Sequence, residues 1–186
     1  MAPDLLLLWR RLLERCFEVG AVVHPIHAAP GDCPGARWKF ATFRGGEEIS
    51  PPQIEIPIEG EDNGPYEPLG AWRISRELLE GPPGDPCTSL SLLAHELGHA
   101  VIWRRESDPT SMSGRLFRAD EHSRTTRARP DAETCKKICG NEEAAWRIGG
   151  MELRDLSETT WSTLEPTCER VRAFCLKGYS DWYSAS

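Results

Sequence analysis

Ser89–Arg105 reads SLSLLAHELGHAVIWRR, and its pattern decides the fold. Leu90, Leu93, Ala94, Leu97 and Val101 recur at three- and four-residue spacing, the period of one buried helical face. Thr88 or Ser89 stands where an N-cap belongs. On this helix His95 and His99 are one turn apart and project from the same face, so both imidazoles can reach one zinc ion. Glu96 follows the first of them. From there a carboxylate can take a proton from a water at the ion and deliver it to a leaving amine without binding the ion. Ala94, Leu97, Gly98 and Ala100 are small or apolar, as a buried helix needs, and Gly98 lets a neighbouring backbone or side chain come close. The pattern predicts one catalytic zinc per chain, with His95 and His99 as ligands and Glu96 as general base and acid.

The chain around this helix has 186 residues, which suits a single domain spanning 1–186. Upstream, Leu5, Leu8, Trp9, Leu12, Leu13 and Cys16 form the apolar side of an amphipathic helix over 4–19. Residues 24–35 are punctuated by Pro and Gly and read as a loop, with His24 and His27 flanking Pro25 in a turn. Arg37–Arg44 alternates, with Trp38, Phe40 and Thr42 on one side, and predicts a strand closed by Gly45-Gly46. Gln53–Glu59 alternates again through Ile54, Ile56 and Ile58. Pro57 lacks a ladder N–H, which predicts an edge strand. Residues 59–70 read as a loop, 71–80 as a further strand or short helix, and 81–86 as a loop.

Downstream, residues 106–130 are polar, with Pro109, Gly114 and several Arg, and predict a long exposed segment. Pro130-Asp131 opens a helical pattern. Gly140-Asn141 is expected to interrupt it, with Asn141 capping a second helix that stops at Gly149-Gly150. Two more helices are expected near 152–165 and 168–177, separated by Pro166, with Gly178 as the last stop. The fold class expected is α+β: a small antiparallel or mixed sheet packed on the active-site helix, and a mainly helical C-terminal half.

Composition excludes some functions. The net charge of −7 argues against a nucleic-acid partner, whose phosphates want a basic face. No run approaches the roughly 18 apolar residues of a membrane span. The short Leu5–Trp9 run has its positive charges after it rather than before, unlike a secretory signal. The cytoplasm is therefore the expected compartment. The seven cysteines, 16, 33, 87, 135, 139, 168 and 175, are odd in number and read as buried thiols; a second metal site among 135, 139, 168 and 175 is the alternative.

Ala94-His95-Glu96-Leu97-Gly98-His99-Ala100 resembles the active-site helix of the zincin metallopeptidases. A metzincin has a histidine six residues after the second ligand, where this chain has Arg105. Asn141-Glu142-Glu143-Ala144-Ala145 is similar to the segment from which gluzincins take a third, glutamate ligand. The short chain also resembles the small ImmA/IrrE-type peptidases. The resemblance implies a zincin-like fold, zinc, a protein or peptide substrate and hydrolysis of a peptide bond. Two other readings stay open: a zinc amidohydrolase acting on a non-peptide amide, and a regulatory or binding module that holds zinc without turnover.

For the third ligand Glu142 is preferred to Glu143. Glu142 shares its helical face with Ala145, Trp146 and Gly149, while Glu143 shares one with Trp146, Arg147 and Gly150 and is expected to face solvent. Asp120 and His122 are further candidates, as ligand and as transition-state donor. Tyr66, Tyr179 and Tyr183 are equally eligible as oxyanion donors. Trp146 and Trp161 are expected in the core.

Overall fold

The computed structural model of the chain describes residues 2–28, 37–39, 42–44, 47–59, 65–106 and 112–184. Cys33, Phe40, Gly45-Gly46 and Pro109, named above, lie outside them. The described residues form an α+β fold, mostly helical, with a small sheet. Helix α1 (Pro3–Glu18) buries Leu8, Trp9, Leu12, Leu13 and Cys16, the stripe its spacing predicts. Strand β1 (Val22–Ala28) follows, where a loop was expected. Successive side chains on a strand point to opposite faces, so His24 and His27, three apart, diverge rather than converge on a metal.

Strand β5 (Gln53–Glu59) lies between β1, which it pairs in parallel, and β2 (Arg37–Lys39), which it pairs antiparallel. It is therefore central, not the expected edge strand. Pro57 is accommodated because β2 reaches only Gln53–Glu55, while Pro57 stands opposite Ile26 of β1. Ile54 and Ile56 enter the core. The single strand expected over Arg37–Arg44 is two: β2 joins β5, whereas β3 (Thr42–Arg44) forms a hairpin with β4 (Glu47–Ser50). Alternation reports a strand's two faces but not its partner, so the change of sheet left no trace in the pattern. A second hairpin, β6 (Tyr66–Leu69) with β7 (Trp72–Ser75), occupies part of the expected 59–70 loop. The short helix α2 (Arg76–Glu80) ends with carbonyls satisfied from α1: Trp9 Nε1 donates to Leu78 O at 2.6 Å and Arg10 Nε to Leu79 O at 3.0 Å.

Helix α3 (Pro86–Glu106) carries the histidines. Its cap is Asp85 rather than Thr88 or Ser89: the Asp85 carboxylate accepts from Thr88 N at 2.8 Å, with Pro86 in the first helical position. The expected exposed segment contains α4 (Met112–Thr126). Its inward side is narrow, with Leu116 and Ser123 buried and Phe117 and Asp120 half-buried. A helix so polar leaves little apolar periodicity to detect.

Helix α5 (Ala132–Leu156) starts at an Asp131 cap and runs through Gly140, Asn141, Gly149 and Gly150 without a break. Its buried residues, Cys135, Ile138, Glu142, Ala145, Gly149 and Leu153 among them, keep three- and four-residue spacing across both glycine sites. A helical glycine costs only about 1 kcal/mol against alanine, which this continuous burial outweighs. The chain breaks instead at Ser157, whose backbone is extended and whose hydroxyl accepts from Thr160 N at 3.3 Å. Helix α6 (Glu158–Ser184) then passes through Pro166 and Gly178. Pro166 and Ser162, whose carbonyl the proline cannot serve, both face water, while Leu164 and Cys168 are buried on the opposite side. No helix among the described residues is long and apolar enough to cross a membrane.

Helices α3 and α5 cross at backbone contact. A Cβ on Gly98 would land on the carbonyl of Ala145, and one on Gly149 would land on the carbonyl of Ala94. Gly149 is thus a crossing residue, not a helix stop. Gly140, exposed on the same helix, has nothing near its missing Cβ. Gly149→Ala should lower stability by about 3 kcal/mol, because backbone on both sides cannot yield. Gly140→Ala should raise it by about 0.5–1 kcal/mol. Urea unfolding of both variants checks the pair, and equal small shifts would contradict the close crossing.

Candidate metal centre

The crossing sets the site. With the axes this close at Gly98 and Gly149, Glu142 of α5 reaches the histidine face of α3. His95, His99 and Glu142 each offer an atom within 4.8 Å of the others, and no other such His/Cys/Asp/Glu group occurs among the described residues. Glu142 Oε2 lies 3.2 Å from His95 Nε2, and Oε1 lies 3.4 Å from His99 Nε2. His95, Glu96 and Glu142 are each less than a tenth exposed.

The fit to a cation shows in what these atoms do not do. His95 Nε2 and Glu142 Oε2 are buried and neither makes a hydrogen bond, although they nearly touch. Buried polar atoms normally find a partner. A nitrogen and an oxygen buried this close with no hydrogen bond between them suit one ion held by both. Two imidazoles and a carboxylate are a donor set that a divalent metal ion accepts. The charges agree. Burial alone would raise the Glu142 carboxyl, but His99 and His95 beside it hold it well below the usual carboxylate range. Burial works against a charged His95, yet Glu96 and Glu142 carry it up to about 9. A metal entering the group displaces that proton.

Around the group stand a further residue of α5 and residues of two more helices, α6 and α4. Trp146 of α5 stacks on His95 with ring centroids 4.2 Å apart and planes 8° apart. Tyr179 of α6 is within electrostatic range of Glu142, Asp120 and Glu96, and burial above all pushes its phenol far above the ordinary range, so it stays protonated. Cys175, one turn before Tyr179, is raised by burial and by Glu96 and Glu142. Arg124 of α4 sits 4.6 Å over the Tyr179 ring, and its Nε donates to both oxygens of Asp120 at 3.0 and 2.9 Å. The Tyr183 hydroxyl also donates to Asp120, and Trp182 Nε1 donates to Ser123 Oγ at 3.3 Å.

The other candidates separate clearly. Glu143 is exposed and pairs with Arg172 at 3.3 Å, outside the group. Asp120 is engaged by Arg124 and Tyr183, and His122 is exposed on α4. His27 approaches Glu77 at 3.9 Å, away from His24. Tyr66 is exposed on β6, and Tyr183 already serves Asp120, which leaves Tyr179 as the tyrosine beside the group. Trp161 packs against the core as expected, whereas Trp146 does more than fill space. The six described cysteines are free thiols, and none joins a metal group. Cys175 and Tyr179 carried an i, i+4 signal that was missed because the helix was expected to end at Gly178. Comparison with family models, with curated proteins and with solved structures finds no match to this chain.

Proposed function

We propose that the chain is a zinc-dependent peptidase of zincin-like architecture. The observation that carries this is the meeting of His95, His99 and Glu142 at one buried point, with the Glu96 carboxylate buried beside it. When bound, zinc supplies a Lewis acid that polarises the scissile carbonyl and makes water acidic enough to attack at neutral pH. Glu96 takes the proton of the attacking water and returns it to the leaving amine, so one carboxylate serves both halves of the hydrolysis. Tyr179, held protonated among carboxylates, donates a hydrogen bond to the carbonyl oxygen as charge builds on it. The low-dielectric surroundings of His95, Glu96 and Glu142 strengthen each of these interactions.

The test is to incubate the zinc-loaded protein with a mixed peptide library and read new termini by mass spectrometry. Cleavage should stop with a chelator and return with zinc. Tyr179→Phe should keep zinc and lower kcat by roughly 10²-fold, the cost of one oxyanion donor. An unchanged kcat would remove Tyr179 from the mechanism. Burial also supports a second reading, a module that holds zinc without turnover, because a site this enclosed gives a substrate little access. Stoichiometric zinc with no cleavage of any library peptide would favour that reading over the peptidase.

A further inference from the structure

Helices α4 and α6 meet through two rungs of polar side chains. Asp120 and Arg124 stand one turn apart on α4, and Tyr179 and Tyr183 one turn apart on α6. In one rung the Tyr183 hydroxyl donates to Asp120 Oδ1. In the other the Arg124 guanidinium carbon lies 4.6 Å from the centroid of the Tyr179 ring, within cation–π reach. Asp120 joins the rungs, because Arg124 Nε donates to both its oxygens, at 3.0 and 2.9 Å. The Asp120 side chain is 13% exposed and that of Arg124 49% exposed. A long side chain half in water keeps one place only where a partner offsets its lost rotamer freedom, and the Asp120 carboxylate is that partner.

The arrangement bears on the phenol. Burial first, then Glu142 and Asp120, makes Tyr179 harder to ionise, and a phenol so placed is a weaker hydrogen-bond donor. Arg124 acts in the opposite sense. A carboxylate near Tyr179 therefore works against a donor unless it also brings a cation to the ring, as Asp120 does. We propose that Asp120 is a positioning residue for Tyr179: it holds Arg124 on the ring face, where the cation fixes the ring and draws electron density from the hydroxyl. This rests on the role given to Tyr179 in hydrolysis, but the hold of Asp120 on the ring's surroundings is read without substrate.

The full chain is made with 3-fluorotyrosine, and the lines of its three tyrosines are assigned by Tyr66→Phe, Tyr179→Phe and Tyr183→Phe. Fluorine NMR of the metal-free protein is read for wild type, Arg124→Gln, Asp120→Ala and the double variant. Asp120→Leu fills the space without an acceptor and takes the place of the Ala variant if melting curves show that one unfolded. Removing a cation and removing an anion beside the ring shift its line in opposite directions where each charge acts alone. Because Asp120 acts through Arg124, its loss should move the Tyr179 line in the same direction as Arg124→Gln, and should add little in the double variant. In the zinc-loaded protein Asp120→Ala should lower kcat about tenfold with KM unchanged, the worth of a cation over a ring partly shielded from water. It should cost nothing further in a Tyr179→Phe background, whereas a mere tie between helices would cost the same in both. A Tyr179 line that stays in place or moves in opposite directions would overturn the inference. So would an unchanged kcat, or a loss that persists without the Tyr179 hydroxyl. If wild type cleaves no peptide, the peptidase reading has failed, and the fluorine lines alone decide whether Asp120 positions Arg124 on Tyr179.

Discussion

Replacing His95, His99 or Glu142 with alanine should reduce the zinc content of the purified chain from one equivalent to almost none. Each substitution leaves two ligands where catalytic zinc needs three from the protein, and neither Glu143 nor Asp120 is placed to take over. Glu142 carries a second weight. Its carboxylate supplies the negative charge for an ion that otherwise meets two imidazoles, and His95 holds a proton in the metal-free state with a pKa near 9. Because zinc must displace that proton, apparent affinity should rise with pH up to about that value. Glu143→Ala is the informative contrast. Its side chain is exposed and pairs with Arg172 over the outer face of α5, so zinc should stay at one equivalent. Elemental analysis of the four variants decides the matter. Full zinc after both histidine substitutions would reject this site and direct attention to the cysteines, and a loss at Glu143 alone would reverse the assignment of the third ligand.

That Glu142 and not Glu143 turns towards the histidines of α3 was legible in the sequence because a helix imposes a fixed angle per residue. Glu142 falls on the stripe of Ala145 and Gly149, and only that stripe is small enough for α3 to touch. The same logic gave α1, α3 and the β5 strand. What the pattern hid was where helices end. Gly149 and Gly178 look like stop signals, and Pro166 looks like a break, since local propensity knows nothing of the neighbours. The need for close approach at Ala94 puts Gly149 inside α5, and exposure of the Pro166 side lets α6 continue. Losing the end of α6 also hid the choice of tyrosine. Once 158–184 is a single helix, Cys175 and Tyr179 fall one turn apart and both come within range of Glu142. The polar α4 was missed for a different reason: its contribution is made through Asp120 and Arg124, which in a sequence look the same as solvated charge.

Glu96→Gln should retain one zinc and the fold while hydrolysis falls by roughly 10²–10⁴-fold, the range of general acid–base contributions. Gln keeps the size of the side chain, so the packing beside His95 is preserved. It cannot accept a proton at neutral pH, so the attacking water keeps its own and the amine leaves unprotonated. Both kcat and kcat/KM should fall together, since the lost interaction exists only once bonds begin to change. Glu96 is well placed for the part because it is buried against α3's own ligand rather than bound in the group with Glu142. The comparison is made at equal zinc loading, with peptide cleavage followed by mass spectrometry. If wild type and the Gln variant cleave equally, Glu96 is not the proton carrier. If the Gln variant loses zinc together with cleavage, Glu96 serves metal binding and the loss of cleavage follows from the loss of metal. Loss of cleavage with zinc intact is the result that the position of this carboxylate demands.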